Sequence, residues 1–440
     1  MYTNILKKNL TDITTEEVET FCQESHIESD VLDYKIDRPK EGFARHFAAF
    51  SNQRGGVIIL GVEEDKQTGL PKTFPGIPKS GMLIEQIHQD AGNVDPLPRY
   101  NVAYTKTSNG KYFIIISILE GDKTPYYVVY DSRLWIRTGS LKKPFDLAQP
   151  ETVKNLIEKR KVAVQEQKMV VQIADDLFSY ALRRAERSRI NALQQEKQAA
   201  ENFSGKLAKQ GEQASPVDYE TYQEKLGVKS SMCTVYLLPF FPRRVLMGKA
   251  KLKDKITEYR VKRGYNGSFP ELSSETTTEG ILSFNWRNNG YIECQQIFDR
   301  GLVWSSIDIS TVDLQKKSKI VHISYLADQL YSVLVLTKNL YQMTNYSGVI
   351  IGRVIVEDVE DFIIEIIKLA GNIYFEGDRK NCLSPEYFWD LGIDTRQLFD
   401  SKGCKDFFIS SLQEIYLSLG LDKPENKFLE QYIKQSGYSF

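Results

Sequence analysis

The chain has 440 residues, a net charge of −1, 41% apolar and 26% charged residues. That balance excludes wholesale disorder and gives length for two or three domains, each able to bury a core. No apolar run approaches the ~20 residues of a membrane span, and the five cysteines include no Cys-x-x-Cys pair, which excludes a zinc ribbon and a disulfide framework. The four histidines form no His-Glu-x-x-His motif. Met1–Lys8 lacks a long apolar segment and a small-residue cleavage site, so no secretory leader is expected and a reducing cytoplasm fits best.

Residues 1–150 read as one α+β unit. Thr14 or Thr15 can cap a short helix through Phe21. Val31–Ile36 alternates as a strand, with Leu32, Tyr34 and Ile36 on one face and Val31, Asp33 and Lys35 on the other. Phe43, Phe47 and Phe50 recur at helical spacing; Asn52-Gln53-Arg54-Gly55-Gly56 ends that helix. Val57–Val62 is a continuous apolar run, the pattern of a strand buried on both faces. Ser80 can cap a further helix, Arg99–Lys106 and Tyr112–Leu119 read as strands, and Pro125–Tyr130 with Leu134–Thr138 reads as a hairpin.

Residues 151–200 are poor in Gly and Pro and rich in Lys, Arg, Glu, Gln and Ala, which predicts a long helix whose stripe of Val170, Ile173, Leu177 and Tyr180 must pack on something. Residues 201–218 read as a linker, so that 151–218 joins two domains. Residues 219–440 form a second α+β domain. Its predicted strands are Met232–Phe241, Gly280–Trp286, Tyr291–Ile297, Gly301–Ile309 and Val349–Val356; its predicted helices are Ser318–Tyr346, Lys405–Leu419 and Lys427–Ser436.

Chemistry concentrates between Glu28 and Glu64. Asp33 and Lys35 share a strand face, placing a metal-binding acid beside a phosphate-binding base. Glu28 is five residues from Asp33, so the two meet only if the chain bends at Ser29-Asp30. Glu64 follows the buried strand, where a loop can present it beside Asp33. Each acid alone reads equally as a solvated strand end, Lys35 as an edge-strand gatekeeper and Gly55-Gly56 as a plain turn. Asn52 reads as orienting the turn, and His46 and His88 as packing or surface residues. No Gly-x-x-x-x-Gly-Lys-Ser/Thr occurs, so no phosphate loop of that kind is expected. In residues 242–263 a local +7 charge includes Arg243, Arg244, Lys251 and Lys253; it reads as a phosphate-backbone surface or as a solvated face. Arg183, Arg184, Arg187 and Arg189 read likewise, or as partners of Asp175, Asp176 and Glu186.

Two stretches, Glu28-Ser29-x-x-x-Asp33-Tyr34-Lys35 and Ala49-Phe50-Ser51-Asn52-x-x-Gly55-Gly56 with its following strand and Gly61-Val62-Glu63-Glu64, resemble the Schlafen AlbA_2 domain. Thr124-Pro125-Tyr126 and Leu134–Ser140 agree with it, and the likeness covers about residues 15–160. It implies a mixed sheet with helices. By the pattern of animal Schlafens that cleave transfer and ribosomal RNA, it places catalytic, metal-holding acids on Glu28, Asp33 and Glu64. Asp33 stands where that pattern has Glu, and Glu64 where it has Asp.

Carboxylates so placed can hold Mg²⁺ or Mn²⁺, and Lys35, Arg54, Arg137, Lys142, Lys143, Arg243, Arg244, Lys251 and Lys253 are the candidate nucleic-acid contacts, the last four on local charge alone. The resemblance suggests structured RNA such as transfer RNA as substrate, with DNA as an alternative, a defence or stress role, and a homodimer docked through the long helix. Two other functions compete: a non-catalytic nucleic-acid-binding regulator, and a scaffold that senses a ligand or protein through residues 219–440.

Overall fold

Thr14 opens the first helix, α1 (Thr15–Gln23), with a reciprocal cap: its hydroxyl accepts from Glu17 N–H, and the Glu17 carboxylate accepts from Thr14 N–H. This computed structural model describes residues 10–440 except 66, 108, 132, 139–140, 147–149, 209–230, 243–245, 259–260, 263–267, 270–273, 287–291, 314–317, 345, 368 and 370–379. Strand β1 (Leu32–Lys35) runs parallel to β2 (Gly56–Leu60), joined by the crossover helix α2 (Ala44–Asn52). A short ribbon of β3 (Glu63–Glu64) and β4 (Pro71–Thr73) follows, then α3 (Gly81–Gly92). Ser80 makes no side-chain cap there; its N–H instead donates to the Tyr104 hydroxyl at 2.9 Å.

Next come β5 (Val94–Asp95), β6 (Tyr100–Tyr104), β7 (Ile114–Ile118), β8 (Tyr127–Val128), β9 (Arg133–Thr138) and β10 (Leu141–Asp146). The first sheet has the order β1-β2-β7-β6 and is mixed; a second runs β10-β9-β8-β5. Alternation along the mixed sheet feeds two cores. Ile58, Leu60 and Ile116 meet Phe43, Phe47 and Phe50 of the α2 segment on one face. Leu32, Tyr34, Ile59 and Ile115 meet Val18 and Phe21 of α1 on the other. Asp33 and Lys35 therefore point to the α2 side, opposite the Leu32–Tyr34 face.

Helix α4 spans Pro150–Ala208, 59 residues and about 90 Å. It continues through residues 201–208, which the sequence predicts to be linker; Gly205 does not break a helix otherwise rich in good helix formers. Residues 209–218 lie outside the described residues. The first turns of α4 hold the N-terminal unit: Thr124 Oγ1 donates to Leu156 O at 2.8 Å. Lys159 Nζ donates to Glu120 Oε1 at 2.9 Å and to the Gln53 carbonyl at 2.8 Å. Further along, Val170 and Ala174 bury themselves against Leu238, Cys294 and Trp304 of the C-terminal sheet, and Gln296 Nε2 donates to Ala174 O at 2.7 Å.

That sheet is built on β11 (Met232–Pro239). After α5 (Lys249–Glu258) and the small β12 (Val261–Lys262)–β13 (Ser268–Phe269) pair come β14 (Glu275–Thr276), β15 (Gly280–Trp286), β16 (Ile292–Phe298) and β17 (Val303–Asp308). A side sheet of β18 (Ser310–Asp313), β19 (Ser318–His322) and β21 (Ile363–Glu365) branches off. With β20 (Val349–Glu357) and β22 (Glu386–Asp394), the main sheet has seven strands in the order β14-β15-β16-β17-β11-β20-β22, paired antiparallel.

Its other face carries α6 (Ile323–Thr344), then the short α7 (Thr395–Phe399), α8 (Ser401–Ser418) and α9 (Asn426–Gln435). The helix predicted from Ser318 thus begins at Ile323; residues 318–322 are a strand, because Ile320 and Val321 pair with β18 and β21. The two units meet where Arg396 Nη1 donates to Tyr100 O at 2.9 Å and Arg99 faces Asp394 at 3.4 Å. Among the described residues no helix is long and apolar enough to cross a membrane.

Candidate functional site

Three local devices bring three carboxylates together. The chain bends at Asp30–Val31, fixed by Ser29 N–H donating to Leu32 O at 3.1 Å. Glu28 thereby folds back, and its Oε1 accepts from Tyr34 N–H at 2.7 Å. Asp33 sits in mid-strand on β1, opposite Ile58. Beyond β2, Gly61 adopts φ +94°, and the Gly61 and Val62 N–H groups both donate to Lys35 O, at 2.8 and 3.2 Å. That turn brings Glu64 back toward β1. As a result Glu28, Asp33 and Glu64 each offer an oxygen within 4.8 Å of the others.

Asp33 is 2% exposed, and its charge is balanced on every side. Arg137 Nη1 donates to Oδ2 at 3.0 Å, His46 Nε2 lies 3.4 Å from the same oxygen, and Lys35 Nζ contacts Oδ1. Burial alone would raise the Asp33 carboxyl, but a hydrogen bond from Glu28 and the charges of His46, Lys35 and Arg137 outweigh it and hold the group below the usual range. Glu28 goes the other way: burial, hydrogen bonding to Asp33 and Glu64, and the Asp33 charge raise it well above the carboxylate range, against the pull of Lys35. The cluster therefore holds a proton at neutral pH. Glu64 Oε2 is buried without a hydrogen-bond partner. Three hard oxygen donors and an orphaned buried oxygen fit a small divalent cation.

Residues 28–146 match the Schlafen, AlbA_2 family model. The match begins at Glu28 and ends with β10, so it holds all three acids and the mixed sheet. No curated protein matches the chain. Among solved structures the chain is similar to the N-terminal domain of a RecG-related protein from Nitrosomonas europaea, determined in solution by NMR. The identity is 15%, over 26% of this chain and 80% of that one, with a TM-score of 0.22.

Within the matched segment the predicted cations divide. Lys35 stands at the acids, with Nζ 3.6 Å from Glu28 Oε1. Arg54 is exposed, 3.5 Å from Asp30. Arg137 is a correction: it is 2% exposed, donates to Ser29 O at 2.6 Å as well as to Asp33, and packs on the Phe50 ring at 4.4 Å. It fixes the floor of the pocket and has no surface left for a phosphate.

Lys142 and Lys143 lie on β10, opposite Arg137 and Ile136; their side chains, and Arg243 and Arg244 entirely, lie outside the described residues. Lys251 and Lys253 are exposed on α5, in the C-terminal unit. Of the arginine cluster on α4, Arg184 pairs with Glu275 at 3.3 Å.

Two features of the matched segment escape the sequence reading. His46 touches Asp33, and its signal was available, since it completes the buried Phe43–Phe47–Phe50 stripe at helical spacing. Asn52 clamps strands and not the glycine turn: Nδ2 donates to Tyr126 O at 2.7 Å and Trp135 O at 3.0 Å, and Oδ1 accepts from Tyr126 N–H.

Proposed function

We propose that the chain is a metal-dependent endoribonuclease acting on structured RNA such as transfer RNA, in a defence or stress setting. The observation that carries this is the convergence of Glu28, Asp33 and Glu64 within 4.8 Å, inside the segment that matches the Schlafen family. The three acids would hold Mg²⁺ or Mn²⁺, which when bound supplies charge neutralisation and an acidified water. Arg137 and His46 keep Asp33 ionised and in place. Lys35 and Arg54 supply positive charge for the scissile and flanking phosphates. A nucleic acid is the partner that this charge pattern fits, and the family resemblance puts RNA before DNA.

A non-catalytic nucleic-acid-binding regulator is the second reading. It is favoured by one observation: Asp33 is engaged by Lys35, Arg137 and His46 together, leaving little of it for a metal.

Incubating the protein with total transfer RNA and Mn²⁺ or Mg²⁺, with and without EDTA, tests both. Glu28→Gln, Asp33→Asn and Glu64→Gln are the variants of choice, because they keep the pocket's shape where alanine would strand Arg137. Metal-dependent cleavage lost in all three, with binding kept, is the expected result. Binding without cleavage in the wild type favours the regulator, and no binding favours a sensing scaffold. We further propose a homodimer. Tyr180, predicted to pack with the Val170–Leu177 stripe, is exposed; the rest of that stripe is already covered by the chain's own sheet, so the interface falls on the exposed side of α4, with Ile157, Val162, Met169 and Tyr180.

A further inference from the structure

We propose that Lys35 is a resident counter-ion of the acid pocket, which a divalent cation must displace and which, once displaced, becomes the ammonium offered to a phosphate. This rests on the metal-holding reading of the three acids. Asp33 Oδ2 is occupied by Arg137 at 3.0 Å and faced by His46 at 3.4 Å, so Oδ1 is the oxygen that Asp33 can present to the pocket. The Lys35 ammonium sits on that oxygen and lies 3.6 Å from Glu28 Oε1. It also donates to the Tyr34 carbonyl at 2.6 Å. It does not reach Glu64 Oε2, which stays buried without a partner. A cation coordinated by Asp33 Oδ1 at the ~2.1 Å of Mg²⁺ repels an ammonium held on the same oxygen, so binding of the one favours release of the other.

The two positive side chains differ in freedom. Arg137 is locked by Asp33, two carbonyls and the Phe50 ring, and is buried. Lys35 ends its strand, is a quarter exposed, and is followed by the exposed Ile36, so its flexible stem has a way out. One cation is therefore structural and the other exchangeable. Without metal, Lys35 holds the place of a cation against Asp33 and Glu28. With metal, it is released at the mouth of the pocket, where a scissile phosphate would lie.

Mn²⁺ affinity measured by calorimetry at fixed pH, on the full chain, tests this without reference to activity. Lys35→Gln is expected to bind Mn²⁺ at least about tenfold tighter than wild type, and Lys35→Arg to stay within about threefold of it. Unchanged or weaker binding by Lys35→Gln, with wild type binding, overturns the exchange and makes Lys35 a supporting residue. No binding by either protein at millimolar Mn²⁺ overturns the metal-holding reading itself, and the exchange with it. If Lys35→Gln unfolds in EDTA, its thermal transition in rising Mn²⁺ decides. Recovery at lower Mn²⁺ than affects the wild type supports displacement, and failure to recover at millimolar Mn²⁺ overturns it.

Discussion

Glu28 and Asp33 sit in one pocket and are driven in opposite directions. Asp33 faces Arg137, His46 and Lys35; Glu28 faces mainly Asp33 and Glu64, and keeps its proton. The linkage sign follows. Below about pH 4, near the ordinary Glu value, folded and unfolded chains both hold that proton. Above it the unfolded chain releases the proton while the folded chain keeps it, so this carboxyl subtracts stability as pH rises toward its raised folded value. Glu28→Gln keeps the acceptor for Tyr34 N–H and removes the effect. In EDTA, its thermal midpoint should exceed wild type at pH 8 by a few degrees, with roughly 2–4 °C for each kcal/mol regained, and the gap should close toward pH 4. Calorimetry across that range checks it, and a variant less stable than wild type at pH 8 would refute the assignment. The identities of these acids, and the need for a bend between Glu28 and Asp33, were legible from spacing alone. The cations beneath them were not, because Arg137 arrives from β9, 104 residues away.

At the scale of elements, the turn Gly55-Gly56 sets how closely β1 approaches β2. Gly55 holds φ +70°, and a Cβ on Gly56 would lie 2.4 Å from Phe50 Cε1 and 2.6 Å from Val31 O. Gly56→Ala should therefore cost about 1–3 kcal/mol, the usual penalty of overpacking, and loosen Asp33 on its strand. Urea unfolding reads the loss, and an unchanged midpoint would contradict the close approach. Buried strands such as β2 and amphipathic helices such as α2 were readable because their periodicities are strong. Strands β10 and β22 were not: Leu141–Asp146 carries Lys142, Lys143 and a proline, and Glu386–Asp394 shows an exposed aromatic, Phe388, on an outer strand. Helix α5 is hidden in the same way by its run of lysines, since Leu252 alone of its fully described apolar side chains is deeply buried.

For the whole molecule, helix α4 decides what surfaces remain. Its central stripe is consumed within the chain, and its outer side shows Val162, Met169 and Tyr180 at 49%, 45% and 60% exposure. A dimer through that side should weigh two chains by light scattering at micromolar concentration, and Met169→Glu should return it to one. A single-chain mass for the wild type would remove the dimer. The long helix was visible in composition, because the Gly- and Pro-poor stretch after Pro150 stands out. The seating of that stretch depends on long-range partners such as Leu238 and Trp304, which no local pattern announces.

One consequence belongs to the anchoring of α4 by Lys159. That ammonium holds the carbonyl end of α2, the same helix whose His46 rests against Asp33, and about three turns further on the rod is seated on the C-terminal sheet. One rod thus touches both the scaffold of the acids and the distant sheet, so a tilt on that seat would be felt at the pocket floor from outside the pocket.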